Sequence, residues 1–245
     1  MTEAQAPPGG MSEVGRLTGI FWEPKPVFQD LAARPRFWVP LILLTALSLA
    51  YMISFSRVVG WETMIRRQMD ANTRLQQMPA EQRERAIQQG MAISVPLAYA
   101  GAAVGMAVGS LAIAGILLGM MNLAGGAGLK YRQAFSITCY SFLPSALATI
   151  LAMVVMFLKN PEDFDLQNPL PLNLGAFLSS PETAAWLKAL ARSVDLFTIW
   201  IILLMALGFS TAAGKRLPFG KALTLIVLPW AVFVLLSAAL AGLTG

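Results

Sequence analysis

The sequence predicts an all-α fold, a polytopic membrane helix bundle with five transmembrane helices plus interfacial amphipathic helices. Two observations predict it. Of the 245 residues, 56% are hydrophobic and 13% are charged, whereas a soluble domain carries about 25% charged residues. The charges also avoid five apolar segments, each long enough to approach or exceed the ~30 Å hydrocarbon core of a bilayer. The predicted spans cover residues 37–56, 94–123, 134–158, 196–214 and 222–243.

The second apolar segment, residues 91–129, is longer than one perpendicular span requires. Pro96 is typical of a first helical turn, and the glycines at 125, 126 and 128 are typical of a helix end. These signals predict one helix over 94–123. Division into two helices is the alternative, but no polar cluster marks a turn inside the segment.

Glycines recur in the second span, mostly at intervals of four residues, which places small residues on one stripe of the helix. They are Gly101, Gly105, Gly109, Gly115 and Gly119. Such a stripe allows a neighbouring helix backbone to approach closely. We expect that neighbour to belong to the same chain; a second protomer is the alternative.

The chain before the first span divides into a predicted disordered tail, residues 1–15, and the start of the membrane domain, residues 16–245. Pro24 suits the first turn of a short helix and Pro35 ends it, because proline disfavours helical geometry in the residue before it. Pro40 falls in the first turn of the first span. Aromatic residues here, Phe28 among them, are typical anchors at headgroup depth. The pattern predicts an amphipathic helix on the cytoplasmic surface.

The connection after the first span, residues 57–90, predicts an extramembrane helical hairpin. Apolar residues recur every three or four positions in its first half, and Pro79 marks a fresh helix start. The candidate partner-binding surface consists of Trp61, Ile65 and Leu75. A solvated cap on the bundle is the alternative interpretation.

Residues suited to catalysis or metal binding are scarce. The chain has no histidine and one cysteine, Cys139, which excludes a His/Cys metal site, a Ser-His-Asp triad and an internal disulfide. The acidic group Glu162, Asp163 and Asp165 is typical of a solvated loop. The sequence therefore predicts no enzyme, no metal and no cofactor. Anionic lipid accounts for the excess of basic residues, so no nucleic acid partner is expected.

Two prolines, Pro144 and Pro229, fall inside predicted spans. A proline frees a backbone carbonyl one turn back, and hydroxyls near Pro144, on Thr138, Tyr140 or Ser141, are able to satisfy it. Kinked helix packing is the favoured interpretation. The alternative is a polar seam for transport, lined by Tyr140, Pro144, Thr138 and Asn122.

Four stretches together resemble bacterial members of the Yip1 family: FWEPKPVFQDLAARPRFWVPL, YRQAFSITCYSFLPSAL, VDLFTIWIILLMALGFS and GKRLPFGKALTLIVLPW. The similarity covers residues 16–240. Its signature positions are Pro24, Phe28, Pro35, Pro40, Tyr140, Pro144, Asp195, Trp200 and Pro229.

The resemblance implies five spans, a cytoplasmic N-terminus and an extracytoplasmic C-terminus. Eukaryotic relatives are associated with vesicle trafficking, prenylated Rab GTPases and membrane shaping. For this chain we expect a bacterial cytoplasmic (inner) membrane and a non-enzymatic scaffold. Its expected partners are membrane lipids, other proteins or further copies of itself. A permease or lipid-handling transport protein is the alternative.

Overall fold

The computed structural model describes residues 10–70, 78–166, 168–178 and 183–244. Within these ranges the chain forms α-helices joined by short turns and 3₁₀ segments, with no β-strand beyond one isolated bridge. The α-helices in chain order are α1 (Glu13–Trp22), α2 (Pro24–Ala33), α3 (Trp38–Val58), α4 (Trp61–Asp70), α5 (Ala80–Leu123), α6 (Tyr131–Ser141), α7 (Pro144–Leu158), α8 (Ala185–Ser193), α9 (Leu196–Ala213) and α10 (Phe219–Thr244).

Five of the described segments are long and apolar enough to cross a membrane, which confirms the predicted bundle. They are Trp38–Val58, Ala80–Leu123, Tyr131–Leu158, Leu196–Arg216 and Phe219–Leu243. Successive spans cross in opposite directions, so α1, α2 and the connections after α5 and after α9 share one side, called here the N-terminal side. The opposite side carries α4, the first turns of α5 and the connection that contains α8.

The second span belongs to a helix that begins earlier than the sequence pattern predicts. Helix α5 has 44 residues and measures about 66 Å at 1.5 Å per residue, so it projects beyond the ~30 Å hydrocarbon core. Pro96 lies in its interior, and the expectation that Pro96 starts the helix is wrong. Good helix formers between Ala80 and Gly90 extend the helix past the proline. The predicted hairpin therefore consists of α4 and the N-terminal turns of α5.

A tight turn at Phe142 and Leu143 divides the third span into α6 and α7. The Leu143 amide donates to the Tyr140 carbonyl at 3.1 Å. The Ser145 amide and hydroxyl both donate to the Phe142 carbonyl, at 2.9 and 2.7 Å. Pro144 has no amide hydrogen to donate to the Tyr140 carbonyl four residues earlier. The 3₁₀-type bond from the Leu143 amide satisfies that carbonyl instead.

The hydroxyls expected to serve that carbonyl are not used for it. Thr138 and Ser141 are fully buried, and their hydroxyls have no hydrogen-bond partner among the described residues. The Tyr140 hydroxyl bonds instead to Glu13, in α1. The expectation is wrong because the Leu143 amide, in an i to i+3 backbone turn, already donates to the Tyr140 carbonyl.

The main core lies where α1 and α2 meet α5, α6, α9 and α10. Phe28, Met121, Tyr140 and Phe209 are fully buried there. Helix α9 comes close at Gly208, where an added Cβ would lie 2.8 Å from the Phe28 ring. The absence of a side chain at Gly208 therefore allows α2 to pack against this span.

Candidate functional site at the N-terminal side

The N-terminal side is built on a pair of short helices, α1 and α2. The Ser12 hydroxyl caps α1 by accepting from the Gly15 amide at 3.0 Å. Pro24 occupies the first turn of α2, and the helix ends at Ala33, two residues before Pro35. The predicted short helix thus forms. The predicted tail, residues 1–15, extends too far, because α1 begins at Glu13; the serine cap followed by an acid was the available signal.

The apolar faces of the two helices are covered by the bundle. Ile20, Val27, Phe28 and Leu31 are fully buried. The expectation that Phe28 lies among lipid head groups is wrong, because the ring packs against Gly208. Trp22, by contrast, is 84% exposed. Helices α1 and α2 are therefore part of the folded domain and do not merely lie on the bilayer.

A buried ion pair joins the two helices. The Arg16 side chain is 2% exposed, and its Nε donates to Asp30 Oδ2 at 2.7 Å. Its Nη1 donates to Glu13 Oε1 at 3.0 Å. The Met11 amide donates to the other Asp30 oxygen at 3.3 Å. Both carboxylates are thus bound by donors, which a buried charge requires.

The same network connects the helix pair to the third span. The Tyr140 hydroxyl donates a hydrogen bond to Glu13 Oε2 at 2.8 Å. The more exposed Arg36 donates to Glu13 Oε1 at 3.2 Å. Nearby, the Gln133 amide group donates to the Ala32 carbonyl at 2.8 Å. Tyr140, a signature position of the sequence, therefore holds α1 in place.

Burial by itself lowers the pKa of Arg16, because it disfavours the charged guanidinium. The hydrogen bond and the negative charge of Asp30 outweigh that effect, and the pKa lies above its usual value. Arg16 therefore stays charged throughout the physiological pH range.

The exposed surface around the ion pair of Arg16 and Asp30 is strongly basic. Among the described residues, the N-terminal side has nine basic and three acidic side chains, whereas the opposite side has eight of each. Glu13 and Asp30 are engaged by Arg16, which leaves Glu23 as the exposed acid among the described residues of this side. The exposed basic residues, called here the basic face, are Lys25, Arg34, Arg36, Lys130, Arg132, Lys215, Arg216 and Lys221.

Charges on the opposite side compensate one another. Arg66 bonds to both Glu62 and Glu84, and Arg83 pairs with Asp70. The connections on this side are held together through Arg67, whose Nη1 donates to the Phe164 carbonyl at 3.0 Å. The unbalanced positive charge of the described chain thus lies on the N-terminal side.

The predicted partner surface is not free. Trp61 and Ile65 are only 7% and 8% exposed. The Trp61 ring meets Phe55 edge-on with centroids 5.0 Å apart, and Ile65 packs with Ile87 of α5. The prediction is wrong for these two residues because the amphipathic face of α4 packs onto the chain's own helices. Leu75 lies outside the described residues.

The glycine stripe of α5 also differs from expectation. An added Cβ at Gly101, Gly105, Gly109 or Gly119 would meet nothing within 4 Å in the described chain, and at Gly115 only the Tyr131 ring, at 3.9 Å. The expectation of a close neighbour within the same chain is therefore wrong. Helix α5 packs through another face, on which the buried residues are Ala102, Ser110, Ala114, Leu117 and Met121.

Asn122 binds the backbone at the start of the third span. Its Nδ2 donates to the Leu129 carbonyl and its Oδ1 accepts from the Leu129 amide, both at 2.9 Å. Both polar ends of the side chain are thus engaged in closing the connection between α5 and α6. Asn122 is therefore a structural residue, as Tyr140 is, so two of the four residues of the predicted polar seam are engaged in structural contacts.

Replacing Asn122 with Leu should lower the free energy of unfolding by about 1–3 kcal/mol, because two buried backbone groups of Leu129 lose their partners. Thermal denaturation in detergent measures the loss. Replacing Leu123, which is 92% exposed, with Ala is the control and should change stability little. Equal melting of wild type and Asn122→Leu would show that the bond pair contributes nothing.

Other signature positions lie in the described bundle. Pro40 is buried in the first turn of α3, and the Trp200 ring meets Phe21 edge-on at 5.7 Å. Asp195 caps α9, accepting from the Phe197 and Thr198 amides at 2.9 and 3.0 Å. Pro229 lies inside α10.

Comparison with known proteins finds a matching family model and a distant relative. The family model described as Yip1 domain matches residues 18–240. The chain is 23% identical over 213 residues to membrane protein YknW of Bacillus subtilis (strain 168). The aligned region covers 87% of this chain and 85% of that protein. No solved structure matches the chain.

Proposed function

Because the chain belongs to the Yip1 domain family of membrane proteins, we propose that it is a non-enzymatic membrane scaffold whose basic face binds anionic lipids. The observation that carries this proposal is the charge asymmetry between the two sides of the bundle. Each Lys or Arg close to an anionic membrane surface contributes about 1 kcal/mol to attraction. Protein partners gather beside the lipids that the face retains.

The docked helix pair makes this face a fixed surface. Lys25 lies in the first turn of α2 and Arg34 directly follows the helix, whose apolar side is buried in the bundle. The remaining basic residues lie at the ends of the spans. Because the backbone that carries these residues is already folded, anionic lipid binds the basic face without loss of backbone freedom.

The proposal includes an orientation. The N-terminal side faces the cytoplasm of a bacterial inner membrane, because its short connections after α5 and after α9 contain only basic charges. The C-terminus then lies outside. Labelling of single cysteines placed in each connection, with Cys139 replaced by Ala, tests this: reagent added outside intact cells should label the connection after α7 and spare the one after α9.

Removing charge from the basic face should weaken retention of anionic lipid. The variant Lys215→Gln/Arg216→Gln/Lys221→Gln loses three positive charges, and we expect its affinity for phosphatidylglycerol to fall at least about tenfold. Native mass spectrometry of the full chain, incubated with phosphatidylglycerol in mild detergent, counts the bound lipids.

A matched control removes the same charge from the opposite side. Arg57, Arg85 and Lys159 are exposed there, and Arg57→Gln/Arg85→Gln/Lys159→Gln should retain phosphatidylglycerol like wild type. If both triple variants lose lipid equally, net charge rather than the basic face governs binding, and the assignment of the face is wrong.

Transport is the second candidate, because the hydroxyls of Thr138 and Ser141 are buried without a partner among the described residues. Unsatisfied polar groups are costly within a membrane and often mark a pathway. Thr138→Val/Ser141→Ala should then reduce flux of a transported solute or lipid in reconstituted vesicles. Wild-type vesicles without flux for any solute or lipid class would remove this candidate.

A further inference from the structure

A cavity of about 520 Å³ lies among α5, α9 and α10, away from the basic face. Its size falls within the range of about 300–1,000 Å³ that is usual for ligand sites. Ile113, Ile201, Met205 and Trp230 contribute to an almost wholly apolar wall. Such a wall, placed among membrane-spanning helices, suits a hydrocarbon chain.

The cavity also has a polar end. Ser193, Asp195 and Thr198 line it where α9 begins, at the opposite side of the bundle. From Asp195 to Met205 the helix rises about 15 Å, which equals half of the ~30 Å hydrocarbon core. The cavity thus reaches from the membrane surface to the midplane, as one lipid chain does.

Two signature positions line this cavity. Asp195 lies at its polar end, and Pro229 forms part of its wall. Proline at this point of α10 removes one backbone donor and bends or loosens the helix locally. Neither residue is used by the basic face, so the cavity is a separate feature of the fold.

The charge at the polar end indicates which head group fits. The Asp195 carboxylate is held in place by the amides of Phe197 and Thr198 and by the Thr198 hydroxyl. No Lys or Arg appears among the described residues that line the cavity. The basic residue just before it in the chain, Arg192, lies 3.8 Å from Asp165 and faces that acid.

We propose that this cavity holds the hydrocarbon chain of a phospholipid from the leaflet on the opposite side, with an ammonium head group beside Asp195. The carboxylate attracts the ammonium group and repels a head group of net negative charge. The protein then binds two lipid classes on its two sides: anionic lipid at the basic face and an amine phospholipid in the cavity.

The test is a competition between two lipids that share the same chains. The full chain is incubated with equal amounts of palmitoyl-oleoyl phosphatidylethanolamine and phosphatidylglycerol, and native mass spectrometry measures what each variant retains. Ile113→Trp fills the cavity and should abolish the retained phosphatidylethanolamine. Val108→Trp, on the same helix but 60% exposed and outside the cavity, should retain it.

Asp195→Asn tests the head group without unfolding the site. Asparagine caps a helix as well as aspartate does, so the melting temperature should hold while the preference for phosphatidylethanolamine disappears. The basic-face triple variant should lose phosphatidylglycerol alone, which separates this inference from the proposed function. Undiminished phosphatidylethanolamine in Ile113→Trp, or an unchanged preference in a folded Asp195→Asn, would overturn it.

Discussion

Arg16→Met should lower the free energy of unfolding by about 3–5 kcal/mol, the loss expected when one partner of a buried ion pair is removed. The Asp30 side chain is 5% exposed, so its carboxylate would lose its cationic partner at a site that water hardly reaches. Glu13 would lose a donor as well. Thermal denaturation of the detergent-solubilised protein, followed by fluorescence of its tryptophans, measures the shift.

Two further variants separate the ion pair from a simple loss of packing. Arg16→Met/Asp30→Leu removes both charges and should recover most of the loss, because no buried charge is left alone. Arg36→Met removes a partner of the same Glu13, but the Arg36 side chain is 66% exposed, so stability should change little. A double variant as unstable as the single one would contradict this account.

Phe28→Ala should cost about 3–5 kcal/mol, because the ring is fully buried and its removal leaves a cavity between α2 and α9. Trp22→Ala is the matched control. Both residues are aromatic and lie six positions apart, but Trp22 is 84% exposed, so its loss should change the free energy of unfolding by less than about 0.5 kcal/mol.

The two aromatic variants also distinguish a docked helix from one held by lipid. If α1 and α2 lay among head groups, Trp22→Ala in α1 and Phe28→Ala in α2 would weaken their attachment about equally, and both effects would depend on the detergent or lipid used. The docked arrangement predicts that the loss in Phe28→Ala persists in every detergent. Similar, small shifts for both variants would show that α2 does not pack against Gly208.

The five spans could be predicted because hydropathy over about 20 residues is a local property that the bilayer thickness sets. Helix α2 could be predicted for a similar reason, since Pro24 and Pro35 act on their immediate neighbours. The start of α5 could not, because Pro96 is tolerated inside a helix when the flanking residues are good helix formers.

The partners of each helical face could not be predicted from amphipathic spacing. The pattern of Trp61 and Ile65 correctly indicates that one face of α4 is covered, but the covering helices are α3 and α5 of the same chain. In the second span, residues that face lipid and residues that face protein are equally apolar. Spacing alone therefore did not show that Gly101 and Gly105 point away from the bundle.

The candidate site was predictable in charge but not in geometry. Excess basic residues in the sequence already indicate anionic lipid. The network of Arg16, Asp30, Glu13 and Tyr140 beneath the basic face depends on contacts between distant residues. Tyr140 and Glu13, for example, are 127 positions apart. Such pairs are set by helix packing, and no local pattern in the sequence predicts them.

The salt dependence of lipid selectivity tests the central claim most directly. Spin-labelled phosphatidylglycerol and phosphatidylcholine are compared in vesicles that contain the full-length protein, and electron spin resonance gives the motionally restricted fraction of each. A basic face predicts a clear preference for phosphatidylglycerol at low ionic strength that weakens as salt screens the charges. Equal restriction of both lipids, or a preference that salt does not change, would contradict it.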